Sequence, residues 1–419
     1  MMNKTSSFRF STLLLLAVVA GFQSCGPGSR SQKDAGVPPQ GSYASDVSFL
    51  KQHGIETFEL TSGDSSARVL VAPGLQGRVM TSSSDGWLGK SHGWINYGFI
   101  ASSEKSTQFN AYGGEERFWL GPEGGPFSIY FDEGAEQVFA NWRVPAEIDT
   151  EPFELTGQSA TSATFRNSFR IANASGTELS VGIDRKINLV ARTEAERMLG
   201  VTLDPALRFV AFETVNTLQN TGEQSWNAEN GFLSIWLLCM FQPSETGVVF
   251  IPFRPGTEEQ LGKIVKDDYF GKVPADRLIV RDGVLFFNID GKYRSKIGIP
   301  PSRALPLSGS YDAGSQLLTI VWYSLPEEPA KYVNSQWGVQ SDPLDGDVVN
   351  SYNDGPADDG KVMGPFYEIE SSSPAALLSP GEEMTHIQRV FHISGDPGAL
   401  SAITQQLFNL TLEEITSVF

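Results

Sequence analysis

Between Glu56 and His392 the dominant pattern is an alternation of apolar and polar residues. A period of two sustained over that length commits a chain to broad β-sheets. Leu179, Val181, Ile183, Ile187 and Leu189 alternate with Ser180, Gly182, Asp184, Lys186 and Asn188, which gives a strand with one buried and one wet face. Further strands are expected at 67–72, 165–171, 207–215, 284–289 and 317–323. Pro73-Gly74, Asn220-Thr221-Gly222, Asp290-Gly291 and Ser379-Pro380-Gly381 supply the turns between them. Residues 231–241 form a nearly continuous apolar run bounded by Gly231 and Pro243, as in a strand buried on both faces. Helical patterning is confined to 46–53, stopped by Gly54, to 397–408 after Asp396, and to 413–419. No repeat of 20–50 residues is visible, which argues against a propeller or solenoid. The expectation is an all-β, mainly antiparallel domain over residues 43–419, built from two stacked sheets with a short C-terminal helix.

The N-terminus reads differently. Lys4 and Arg9 precede the short apolar stretch 11–21, and Phe22-Gln23-Ser24-Cys25 follows. This is the layout of a cleavable secretion signal, too short for a spanning helix. The cysteine at the cut site resembles a bacterial lipobox, with Phe22 in place of the usual Leu. Residues 1–24 are therefore expected to be a leader, with lipid on Cys25. Residues 25–42, rich in Gly, Pro, Ser and Gln, read as a flexible tether. The expected location is the cell envelope, at the outer membrane and facing the periplasm or exterior, with contact to the bilayer through the N-terminal lipid. No second apolar stretch of about 18 residues follows.

Charge and cysteine narrow the partners. The chain carries 49 acidic against 31 basic residues, a formal net charge of −18, and losing the leader removes two cations and no acid. Such a surface argues against nucleic acid, whose phosphates need Lys and Arg. There are 2 cysteines. With Cys25 lipidated, Cys239 has no disulfide partner. It lies among Trp236, Leu237, Leu238, Met240 and Phe241, the setting of an inert buried thiol.

Three segments resemble the galactose mutarotase-like β-supersandwich, a fold of many sugar-processing proteins. Residues 69–79 (VLVAPGLQGRV) resemble its opening strand and Gly-rich turn. Residues 209–226 (FVAFETVNTLQNTGEQSW) resemble its central strand, and 366–393 (FYEIESSSPAALLSPGEEMTHIQRVFHI) its closing hairpin. Four denser motifs, at 112–131, 269–278, 290–298 and 346–355, resemble a family of bacterial envelope lipoproteins with no assigned activity. The resemblance implies carbohydrate bound in the concave face of a sheet. Sugar epimerases of this fold carry a His-Pro pair after the central Trp-containing strand. Here the comparable residues, 236–241, contain no His, which disfavours aldose 1-epimerase chemistry by that route.

Glu368 and Glu370 stand two apart on an expected strand and so share a face. The closing strand of the resembled enzymes carries a Glu general base, and either residue matches it; a solvated pair of strand carboxylates is the alternative. Sugar chemistry needs such a carboxylate to take a hydroxyl proton or assist water. His386 is the candidate proton donor opposite them, unless it serves only as a hydrogen-bonding group. Glu116, Arg117 and Trp119 lie between Gly113-Gly114 and Gly124-Gly125. Arg117 can fork onto hydroxyls and Trp119 offers a face to sugar C–H groups; a Gly-rich loop closed by a Glu–Arg pair is the plainer reading. Arg294 belongs to a small basic cluster suited to a uronate or sulfate, or to surface ion pairing. Trp337, Asn350 and Asn353 complete the expected sugar contacts. Residues 342–355 are rich in Asp and Asn, as in turn-forming loops. Substrate contact, or a Ca²⁺ held by Asp345, Asp347 and Asp354, are the other uses of that composition. No cofactor is required. The reaction stays open among epimerisation, lyase chemistry and hydrolysis, with a non-catalytic glycan-binding or scaffold lipoprotein as the alternative.

Overall fold

The computed structural model describes residues 38–357 and 360–419; the expected leader, Cys25 and most of the tether lie outside the described residues. Three antiparallel sheets account for the strands. The largest has ten, in the spatial order Leu278–Arg281, Val284–Asn288, Gly247–Pro252, Leu307–Asp312, Leu317–Tyr323, Glu383–Ser394, Arg208–Asn220, Glu178–Leu189, Ser162–Ala172 and Glu154–Gln158. The second has five, in the order Ser295–Ile299, Val349–Asn353, Tyr367–Ser372, Ser234–Phe241 and Arg117–Gly121. The third comprises Phe58–Thr61, Arg68–Ala72 and Arg78–Ser83. Residues 38–419 form one compact unit.

The two larger sheets pack face to face. Val181, Ile183, Ile187, Val210, Phe212, Val321 and Val390 from one meet Phe118, Leu120, Ile235, Leu237, Cys239, Ile297 and Ile369 from the other. Alternation in Glu178–Leu189 is clean because its outward residues Asp184 and Lys186 are exposed. It fades in Arg208–Asn220 and Leu317–Tyr323, whose other faces are also covered. There Phe209, Ala211, Leu318 and Ile320 pack under the helices Arg192–Leu199, Pro397–Phe408 and Leu412–Thr416 through Leu199, Leu400, Ile403 and Ile415. The eight residues of Ser234–Phe241 are all buried, as its apolar run requires.

Helix ends follow their caps. The first helix is Tyr43–Gln52, earlier than expected, because the Ser42 side chain accepts from Ser45 N–H. The last is Leu412–Thr416 instead of 413–419. Thr411 and Glu414 form a capping box that sets its start. Arg192–Leu199 was not anticipated. Part of 342–355, read as loop, is the interior strand Val349–Asn353 of the five-stranded sheet; the Asn350 amide donates to Ile297 C=O at 3.1 Å and that of Asn353 to Tyr293 C=O at 3.0 Å, so both amides have backbone partners.

The sheet interface is not wholly apolar. Arg185 Nη2 meets Glu116 Oε2 at 2.5 Å, with both side chains fully buried, and Arg185 also donates to Asn216 at 2.6 Å. Nearby, His392 lies 2.9 Å from Glu115 and 2.8 Å from Thr319, and stacks on His92 at 4.3 Å. A cavity of about 20 Å³, room for one water, borders His92, Thr319, Tyr367 and His392.

Candidate functional site

Register decides which side chains can meet. In the five-stranded sheet the directly opposed pairs are Trp119–Trp236, Arg117–Leu238, Leu238–Glu370, Met240–Glu368, Glu370–Asn350, Glu368–Tyr352 and Tyr352–Lys296. Opposed residues project from the same face, and Ile235, Leu237, Cys239 and Ile369 point the other way into the core. The outer face of this sheet therefore gathers Arg117, Trp119, Trp236, Lys296, Asn350, Glu368 and Glu370.

Within that face Glu370 Oε2 accepts from Lys296 Nζ at 2.8 Å and from Trp236 Nε1 at 2.9 Å. Glu368 Oε1 has Arg117 Nη2 at 3.3 Å. The Arg117 guanidinium lies 4.0 Å from the Trp119 ring centroid and 5.2 Å from that of Phe109. Lys296 lies over Trp236 at 5.0 Å and Tyr269 at 5.7 Å. The Tyr269 hydroxyl donates to Asp347 and accepts from Asn350 at 3.3 Å. Gly298 makes this possible, since a Cβ there would lie 2.1 Å from Asp347 Oδ2.

Burial shapes the charges. It drives the Glu368 carboxyl up to about 8, with Arg117 opposing and Glu370 adding to the rise. Burial likewise lifts Glu123, on the loop after Arg117–Gly121, to about 6, although Lys296 opposes it. Burial works against the Lys296 ammonium, yet Glu370 and Glu123 outweigh it and hold its pKa above the usual lysine value. Four buried polar atoms here have no protein partner: Arg117 Nε and Nη1, Trp119 Nε1 and Glu370 Oε1. Each costs about 1–3 kcal/mol when left unpaired. Together they offer three donors and an acceptor to a polar ligand.

Not every expected residue joins this group. Glu116 is turned inward onto Arg185 and is fully buried, so it does not reach a sugar on the outer face. Asn353 also points inward, accepting from Gly291 N–H at 2.9 Å. His386 is on the ten-stranded sheet and meets Ser371 Oγ at 2.8 Å. Ser371 projects from the face opposite Glu370, so His386 cannot serve as acid across from the glutamates; burial lowers its pKa to about 3. Arg294 lies at the end of the outer face, 4.0 Å over the Phe270 ring. Trp337 sits on a loop at the rim. Asp345 pairs with Lys266 at 3.4 Å, Asp347 is taken by Tyr269, and Asp354 accepts from Tyr352 at 2.9 Å. These three do not gather, and among the described residues no three His, Cys, Asp or Glu side chains are placed to hold a metal ion. The Gly124-Gly125 pair is a packing device: a Cβ on Gly124 would lie 2.3 Å from Gln336 C=O.

Trp236, Tyr269, Phe109 and Trp142 were not singled out from sequence, and Lys296 only as part of the basic cluster with Arg294. Trp236 is hidden in an apolar run. Lys296 was visible as the last residue of the basic cluster 293–296, and Tyr269 as the first residue of the motif at 269–278.

No curated protein matches the sequence. Solved structures are similar at low identity. A Synechocystis protein aligns at 14% identity with a TM-score of 0.48, over 81% of this chain and 96% of its own. A galactose mutarotase-like protein from Lactobacillus casei aligns at 11% and 0.45, over 80% and 100%. A galactose mutarotase related enzyme from Lactobacillus acidophilus aligns at 9% and 0.46, over 81% and 99%. Residues 41–419 match DUF6786, a family of unknown function, and the chain belongs to that family.

Proposed function

We propose that the protein is an envelope lipoprotein that binds carbohydrate on the outer face of the five-stranded sheet and performs acid–base chemistry there. The observation that carries this reading is the unequal environment of two carboxyls on one strand. Glu370 is engaged by Lys296 and Trp236, whereas Glu368 has a carboxyl raised to about 8. A proton-holding acid beside a cation-paired carboxylate is the pairing that sugar chemistry uses. Arg117, Trp119 and Asn350 supply hydroxyl contacts and an aromatic face. Sugar entry would displace Phe109 and Tyr269, which cover Arg117 and Lys296. The test is calorimetric titration of residues 43–419 with neutral, uronic and sulfated sugars, followed by product analysis. Loss of binding or turnover in Glu368→Gln and Glu370→Gln supports the assignment; unchanged behaviour in both sinks it.

A second reading, a glycan-binding or scaffold lipoprotein without turnover, is favoured by the closure of the site. Glu368 and Glu370 are 6% and 1% exposed. Neither the small cavity beside His392 nor the open groove of about 440 Å³ by Pro301, Lys331 and Asp342 is lined by either glutamate. Binding without product formation would select this reading. Anchoring through Cys25 rests on the leader and predicts lipid labelling and membrane fractionation that Cys25→Ala abolishes.

A further inference from the structure

Beside the carboxylate site, two loops present aromatic rings to solvent. Trp142 lies near-parallel to Phe139, with centroids 6.0 Å apart and planes at 16°, and to Trp337, at 6.3 Å and 23°. Phe139 is 63% exposed and Trp337 37%. The platform is held rigidly. Gln137 Oε1 accepts from Gly125 N–H at 2.8 Å and from Gly338 N–H at 2.7 Å, tying the two loops together. Phe131 packs edge-on against Trp337 at 5.2 Å. The connection inward is Phe109, edge-on to Trp142 at 6.0 Å on one side and to Trp119 at 5.4 Å on the other, with Arg117 over its ring at 5.2 Å.

Phe139 and Trp337 stay exposed while Trp142, which touches both, is buried, at 7% exposure; exposed rings cost free energy in water and offer apolar surface to the C–H groups of a ligand. Their continuity with the carboxylate site selects the occupant. We propose that Phe139 and Trp337, backed by Trp142, form a second sugar position, which takes the residue next along a glycan from the one held at Glu368 and Glu370. The ligand is then an oligosaccharide or polysaccharide, not a free monosaccharide. This inference rests on the carbohydrate reading of the carboxylate site.

The test is a titration of the folded protein with neutral, uronic and sulfated glycans of one to six residues. Affinity should rise by about tenfold or more from one residue to two or three. Trp337→Ala and Phe139→Ala should both remove that gain at matched folded fraction, and Phe139→Ala, at the more exposed ring, should leave monosaccharide affinity unchanged, while Glu370→Gln weakens both lengths. Equal affinity at every length, or a length effect that both alanine variants keep, overturns the second position and spares the carboxylate site. No binding at any length overturns both. A concentration-dependent dimer that Phe139→Ala dissolves, with no length effect, identifies the platform as a self-association surface and also overturns the proposal.

Discussion

Lys296 reaches Glu370 at 2.8 Å and leaves Glu368, two residues along the same strand, with Arg117 at 3.3 Å. The difference follows from register. Lys296 opposes Tyr352, which opposes Glu368, yet its ammonium leans along the strands onto Glu370 and the Trp236 ring. Arg117 packs on the Trp119 and Phe109 rings and turns only one nitrogen to Glu368. Two carboxyls of identical chemistry thus differ in partners, and that asymmetry gives the pair separate roles.

Glu368 makes stability depend on pH. Burial raises its folded-state pKa to about 8, against Arg117 and with help from Glu370, whereas the unfolded chain has a value near 4.3. The folded state holds the proton more tightly, so its contribution is complete below the unfolded value and is lost as pH rises through about 8. The urea midpoint should fall between about pH 5 and 8, and Glu368→Gln should flatten that slope. A slope unchanged in the variant would assign the titration to another buried acid.

Lys296→Met leaves Glu370 as a buried carboxylate without its cation. Removing one member of a buried pair costs about 3–5 kcal/mol, and the double variant Lys296→Met/Glu370→Gln should recover part of it. Denaturant unfolding of the four proteins measures the coupling. Additive losses would mean that the 2.8 Å contact contributes nothing to stability.

Much of this architecture could be read from residues alone. Glu178–Leu189 announces itself because one of its faces is wet, and the Glu368/Glu370 pair follows from simple alternation. Asn350 and Tyr352 did not announce a strand, because Asx-rich sequence ordinarily marks turns and only the neighbouring strands supply the acceptors that satisfy those amides. Glu116 and Arg117 show the sharper limit. They are adjacent, so their side chains leave opposite faces of the sheet, one into the core and one into the site. Composition treats them alike; only the three-dimensional position of Arg185 separates them. The distance of His386 from the glutamates has the same origin, since facing strands of two sheets are not ordered by sequence.

Glu116 and Arg117 therefore separate core from site experimentally. Glu116→Gln breaks a fully buried ion pair and should destabilise the protein by about 3–5 kcal/mol. Glycan affinity should be unchanged under conditions where the variant is folded. Arg117→Met should weaken glycan binding at matched folded fraction. Equal loss of affinity in both variants would show that the site depends on the buried pair.

Gly298 tests what holds the cover over the site. Residues Lys266 and Gly298 exchange two backbone hydrogen bonds of 2.8 Å, which dock the 262–277 segment along the edge of the five-stranded sheet. The same segment brings Tyr269 to Asp347 and Asn350. A Cβ at Gly298 would lie 2.1 Å from Asp347 Oδ2 and 2.6 Å from Asn350 Nδ2, so alanine must push both side chains away from Tyr269. Overpacking of this kind costs about 1–3 kcal/mol, and here the cost falls on one local contact. Gly298→Ala should raise hydrogen exchange in 262–277 far more than in the fully buried strand Ser234–Phe241. Gly271→Ala lies in the same segment with nothing within 4 Å of its Cβ but a φ of +92°. It should cost backbone strain without loosening Tyr269. If exchange in 262–277 responds equally to both substitutions, the Asp347–Tyr269 contact is not what closes the site.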